Sequence, residues 1–176
     1  CRSVERWGGF SGLGAERRPF QKEGTPRVYA PDKLARTVHV RLDLGFDFKA
    51  KSVSGVCRTT FRGLAGGAGS LRFDAVDLDI TSCERDGKKL PFTNDRRELC
   101  IKLDRRLKEG EETTVLIRYS ARPLVGLYFV APDAEYPDKH VQVWSQGQDE
   151  DSRYYFPCYD HPNEKATSEM VLTVPK

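Results

Sequence analysis

Two side-chain amides separated by one glycine, Gln146-Gly147-Gln148, are the first residues in this chain whose types and spacing suggest recognition chemistry. In an extended segment, residues two apart point to the same side. A glycine between them lets a second backbone or a ligand come close. Asp149, Glu150 and Asp151 follow at once, so neutral acceptors sit beside anionic ones. That set suits an ammonium group, which donates up to three hydrogen bonds. The same composition also describes an exposed polar loop with no ligand.

Metal chemistry has less support. The three histidines (His39, His140, His161) never form H-E-x-x-H, and the nearest attempt, His161-Pro-Asn-Glu-Lys165, lacks the second histidine. A hydrolytic zinc site needs three protein ligands and an activated water, and no such site is expected in this segment. The five cysteines (Cys1, Cys57, Cys83, Cys100, Cys158) are odd in number and form no C-x-x-C pair. They read as buried free thiols in a reducing compartment, which places the protein in the cytoplasm. His39 falls on the polar face of a strand with no partner at ligand spacing and reads as a solvated side chain.

The element expected to position the amides is the stretch after them. Tyr154, Tyr155, Phe156, Pro157, Cys158, Tyr159, Asp160 and Pro162 fall within nine positions. Such density fixes a rigid, irregular, well-packed corner. Asp160, closely followed by Pro162, anchors a turn in this reading rather than acting as acid or base.

Upstream, the pattern is that of strands. Val38, Val40, Leu42, Leu44, Phe46 and Phe48 alternate with His39, Arg41, Asp43 and Asp47, which predicts a long half-buried strand. After a Gly-rich turn at 63–69, Leu71 and Phe73 share one parity while Val76, Leu78 and Ile80 share the other, so a bulge or a break is expected near Ala75. Asp86-Gly87 signals a tight turn between 81–85 and 88–92. Further alternation at Leu99–Leu103, Thr113–Tyr119 and Ala166–Val174 flanks a charged turn at 108–112. No comparable window has a helical period. The expected fold is all-β, an antiparallel β-sandwich or saddle-shaped sheet.

Length and charge set the bounds. At 176 residues the chain can bury one sizeable core. Residues 1–27, rich in Gly and Arg, carry the whole net charge of +3 and read as a flexible or loosely docked leader; residues 28–176 form the domain and are neutral. A nucleic-acid binder would carry its basic residues on the folded part, so nucleic acid is not an expected partner. No apolar run approaches the roughly 18–20 residues that span a bilayer, so no membrane is expected either.

The C-terminal third resembles the N-terminal β domain of the aminopeptidase N family of zinc peptidases, which includes leukotriene hydrolase-type enzymes. The resemblance runs through Ala121-Arg122-Pro123, Gly126-Leu127-Tyr128-Phe129 and Ser145-Gln146-x-Gln148. It continues through Arg153-x-x-Phe156-Pro157-Cys158-Tyr159-Asp160-x-Pro162-x-x-Lys165-Ala166 and ends at Val174-Pro175. It implies a downstream catalytic domain in the same chain, holding zinc through ligands absent here, and a peptide substrate with a free N-terminus. By position, Gln148 would contact the substrate α-amine and Gln146 would line the pocket for the leading side chain. Gly147, Arg153, Phe156, Pro157, Cys158 and Asp160 would be the supporting scaffold. Many bacterial relatives place Glu where Gln148 stands, so a weaker, neutral-acceptor bond is expected here. The alternative is a non-catalytic relative that uses the domain as a protein-interaction scaffold.

Overall fold

The alternation at Ala35–Asp47 produces strand β1, and the remaining strands follow in chain order: β2 (Ser52–Gly63), β3 (Ala68–Asp74), β4 (Asp79–Arg85), β5 (Lys88–Lys89), β6 (Phe92–Asn94), β7 (Glu98–Leu107), β8 (Glu112–Ala121), β9 (Leu127–Val130), β10 (Gln142–Ser145) and β11 (Thr167–Thr173). The structure, a computed structural model, describes residues 32–174; the expected leader at 1–27 and the Pro175 end of the domain lie outside the described residues. Among the described residues the only helical element is a 3-10 turn, Ser152–Tyr154. Among the described residues no helix is long and apolar enough to cross a membrane.

The strands form a six-stranded sheet in the order β11-β1-β2-β8-β4-β5, a three-stranded sheet β3-β7-β6, and a hairpin β9-β10. The first two pack face to face. Leu42, Leu44, Val53, Cys57, Phe61, Val115, Ile117 and Tyr119 from the large sheet meet Leu71, Phe73, Leu99 and Ile101 from the small one in a single buried cluster. Phe61 and Phe73 join the layers edge to face, ring centroids 5.3 Å apart. The outer face of the large sheet is polar: Arg41 binds Asp43 at 3.0 Å, Arg58 also binds Asp43, and Arg62 reaches Glu112.

Four sequence expectations are corrected. The large sheet is mixed, because β11 runs parallel to β1; residues 48–166 lie between the two strands, so the crossover that parallel pairing needs runs through most of the domain. The β1–β2 register shifts between Thr37 and His39, so Thr37 is buried and Val38 only half-buried. That bulge breaks the strict parity of 38–48. The segment 88–92 is not one strand: β5 and β6 belong to different sheets, with Leu90 buried between them. His39 is hydrogen-bonded, its Nδ1 lying 2.8 Å from Thr167 Oγ1 and its Nε2 3.4 Å from Glu169 Oε1.

The parity change near Ala75 is a break, where the chain leaves the small sheet at Asp74 and enters the large one at Asp79. The Asp86-Gly87 turn has positive φ at both residues, as a two-residue hairpin between β4 and β5 requires.

Candidate functional site

The hairpin β9–β10 delivers the amide segment. Tyr128 pairs with Trp144 and Leu127 with Ser145, and one further bond, Gln146 N–H to the Gly126 carbonyl at 2.9 Å, extends the ladder. The rings of Tyr128 and Trp144 stack at 4.4 Å on this hairpin. Beyond Gln146 the chain turns instead of staying extended. Asp151 N–H bonds back to the Gly147 carbonyl at 3.0 Å, closing a turn that contains Gln148, Asp149 and Glu150. The expectation that Gln146 and Gln148 lie on one side of an extended strand is therefore corrected, because strand geometry ends before Gln148. Both glutamines are exposed, and neither side-chain amide has a hydrogen-bond partner among the described residues.

Two glycines make this turn possible. Gly126 has φ +80, and a side chain there would overlap the Asp151 carbonyl oxygen. A Cβ on Gly147 would overlap Ser152 Oγ. The hydroxyl of Tyr155, itself buried, shares hydrogen bonds with Ser145 and Ser152, and burial pushes its pKa up. Both ends of the turn are thus tied to one aromatic side chain.

Behind the turn, Arg153 holds the corner together. Its backbone N–H donates to Asp160 Oδ2 at 2.9 Å. Its guanidinium donates to the same oxygen at 3.3 Å, to the Asp160 carbonyl at 3.0 Å and to Glu150 Oε2 at 2.6 Å, and lies 3.7 Å from Asp74 Oδ1. Burial lowers the guanidinium's hold on its proton, but Asp74, Asp160 and Glu150 together raise it. For Asp160 the balance is reversed: burial lifts its carboxyl above the usual range, and Arg153 offsets only part of that.

The corner is also stitched to the core. Asp74 and Cys158 exchange both backbone bonds (2.6 and 3.1 Å), Asp160 N–H donates to Asp74 Oδ2 at 2.9 Å, and Val76 N–H donates to the Arg153 carbonyl at 3.0 Å. Pro157 is fully buried; its carbonyl accepts from Cys57 Sγ at 3.6 Å. Phe156 packs against the core and meets Tyr155 edge-on at 4.9 Å. Burial pushes the Cys57 thiol up to about 12 and raises Cys158 well above its usual value, so neither is a ready nucleophile.

The structure therefore gathers Arg153, Phe156, Pro157, Cys158 and Asp160 into one brace beneath Gly147, Gln146 and Gln148. Sequence reasoning missed Asp74, which lies 86 residues from Asp160 and carries no local signal, and Ser152. It quoted Gly126 in the resemblance without a role; the only clue to that role was a glycine just ahead of a strand. Among the described residues no three of His, Cys, Asp and Glu are placed to hold a metal ion.

Residues 29–176 match the Peptidase M1 N-terminal domain. Human Aminopeptidase B is 27% identical over 190 aligned residues, covering 93% of this chain and 29% of that protein. Transcription initiation factor TFIID subunit 2 of Danio rerio is 38% identical over 84 residues, 44% of this chain and 7% of that protein. A mutant of the M1 zinc metallopeptidase of Deinococcus radiodurans, bound to a Tyr-Ser-Ala substrate, superposes with a TM-score of 0.66 at 20% identity, over 80% of this chain and 33% of its own. The chain spans less than a third of the length of human Aminopeptidase B. With the family match extending over most of its residues, the chain belongs to the M1 peptidase family, as an N-terminal domain of that family.

Proposed function

We propose that this domain is the substrate-recognition part of a cytoplasmic zinc-dependent aminopeptidase that removes N-terminal amino acids from peptides. Gln148 accepts a hydrogen bond from the substrate α-ammonium, and Gln146 lines the pocket for the leading side chain. The zinc and the residues that activate water belong to a catalytic domain further along the same polypeptide, and no chemical step falls to this segment. The observation that carries the reading is the pair of unpartnered, exposed amides on a turn anchored from behind. A recognition group must be free to bond a ligand yet fixed in place.

The test is Gln148→Ala in the full-length protein, assayed on peptides with free and with acetylated N-termini. Loss of one amide-to-ammonium bond should raise KM about tenfold on free peptides with kcat unchanged, because the contact is shared by ground and transition states. Acetylated peptides should bind poorly to both proteins. Unchanged KM would sink the assignment of Gln148.

A second reading is favoured by the 38% identity to the transcription factor subunit. In it the domain is an interaction scaffold in a chain without peptidase activity. A full-length protein that binds no zinc and hydrolyses no free peptide would establish that reading in place of the first.

A further inference from the structure

Arg153 supports the amide turn at its middle, through Glu150, but a different residue bears on both of its ends. Ser145 closes strand β10 just before Gln146, and Ser152 opens the 3-10 turn just after Asp151. The Tyr155 hydroxyl shares hydrogen bonds with both serines. A phenol has one proton to donate and lone pairs to accept with, so it serves two partners at once. The tie therefore spans the whole segment that carries Gln146 and Gln148.

Tyr155 is itself a fixed post. It is 6% exposed and belongs to the buried cluster that joins the two sheets. Its ring meets Phe156 edge-on at 4.9 Å, and a Cβ on Gly126 would lie 3.4 Å from its Cδ1. Gly126 supplies the carbonyl that accepts from Gln146 N–H at 2.9 Å. At the far end of the turn, Tyr155 N–H donates to the Ser152 carbonyl at 3.1 Å. Ser152 Oγ, in turn, occupies the space that a side chain on Gly147 would need. Ring, backbone and hydroxyl of one buried residue thus converge on the two ends of an exposed turn.

We propose that Tyr155 is a positioning residue for substrate recognition: by tying Ser145 to Ser152 it fixes the separation of Gln146 and Gln148 before a peptide binds. This rests on reading those two amides as the recognition groups. The α-ammonium and the leading side chain hang from the same carbon of the substrate, so the spacing of the two amides decides whether both contacts form together. A turn ordered in the free protein loses less conformational freedom on binding. Locking the groups behind a recognition element is what holds it in a productive geometry. The hydroxyl, and not the ring alone, carries this role.

Tyr155→Phe in the full-length protein keeps the ring and removes the tie. Hydrogen exchange of the Gln146 and Asp151 amides, whose bonds close the turn, should quicken about tenfold, while the amides of β2 and β8 exchange as before. KM for peptides with a free N-terminus should rise about fivefold with kcat unchanged. Ser152→Ala should give part of each effect, and the double variant should match Tyr155→Phe, because the phenylalanine has already removed the shared bond. Unchanged exchange at Gln146 and Asp151 overturns the proposal. So do additive losses in the double variant, and so does faster exchange throughout β2 and β8, which would make Tyr155 a support of the core alone. Gln148→Ala separates this proposal from the reading beneath it. Where Gln148→Ala raises KM and Tyr155→Phe does not, only the role of Tyr155 fails; where Gln148→Ala leaves KM unchanged, the recognition reading fails and takes this one with it.

Discussion

Between Gln146 and Asp160 the chain changes character twice, and the two halves solve opposite problems. The turn at Gln146–Glu150 is exposed, and its two glutamine amides bond to nothing in the described residues. The brace from Arg153 to Asp160 uses nearly all its polar capacity on Asp74, Glu150 and its own backbone. Groups that recognise a ligand must be unsatisfied until it arrives, and unsatisfied groups cannot position themselves. Placing the hydrogen bonds behind the turn leaves the amides free while fixing their origin.

The strongest way to break this contrast is to move the turn off its support. Gly126→Ala would force a side chain into left-handed backbone and into the Asp151 carbonyl. A cost of about 3 kcal/mol is expected from strain and clash together, read by urea denaturation. Gly147→Ala meets only the Ser152 hydroxyl, which can rotate away, so its cost should be clearly smaller. Equal costs at the two glycines would mean that the Gly126–Asp151 contact does not hold the turn.

How much of this was legible beforehand follows the range of the interactions. The strands of the core were readable because period-two alternation is local: Leu42, Leu44, Leu71 and Phe73 are all buried as their parity implies. The Tyr154–Asp160 corner was readable from its aromatic and proline density. The parallel pairing of β11 with β1 was not, since partners such as Leu44 and Leu172 stand on opposite sides of almost the whole domain. Nor was the shape of the amide turn. Gly147 suggested close approach, but the bond from Asp151 N–H that bends the chain depends on backbone that no side-chain pattern reports.

Within the brace, Arg153 is the residue on which the contacts converge. Arg153→Ala leaves the half-buried Asp160 carboxylate and Asp74 without their cation. Breaking a buried pair by removing one partner costs roughly 3–5 kcal/mol, and the partial exposure here reduces the expectation to about 2 kcal/mol. Arg153→Lys should recover only part of it, because one ammonium cannot reach Asp160, Glu150 and Asp74 together. Full rescue by lysine would mean that charge alone, rather than the guanidinium's spread of donors, holds the corner.

A finer probe is the pH dependence of Asp160. Burial raises its carboxyl above the ordinary range, so the folded state prefers the protonated form. That contribution to stability is full below the unfolded carboxylate value of about 3.9 and is lost as pH rises through the raised folded value. Asp160→Asn keeps an acceptor for the Arg153 N–H but cannot ionise. Its stability should fall less than the wild type's as pH rises from about 4 to about 7. Parallel pH profiles would show that Asp160 titrates as it does in the unfolded chain, with Arg153 fully offsetting its burial.

The smallest expected stability effect is at the turn itself. Gln146→Ala and Gln148→Ala remove exposed side chains that bond nothing in the described residues, while the Gln146 N–H that grips Gly126 belongs to the backbone and survives both changes. Each variant should therefore unfold within about 0.5 kcal/mol of wild type, and the pair should add. The result matters because it separates recognition from support: a KM change at constant stability places the amides in the binding step alone. A loss of more than about 1 kcal/mol from either would make that amide part of the brace, and the contrast between a free turn and a saturated support would fail at its centre.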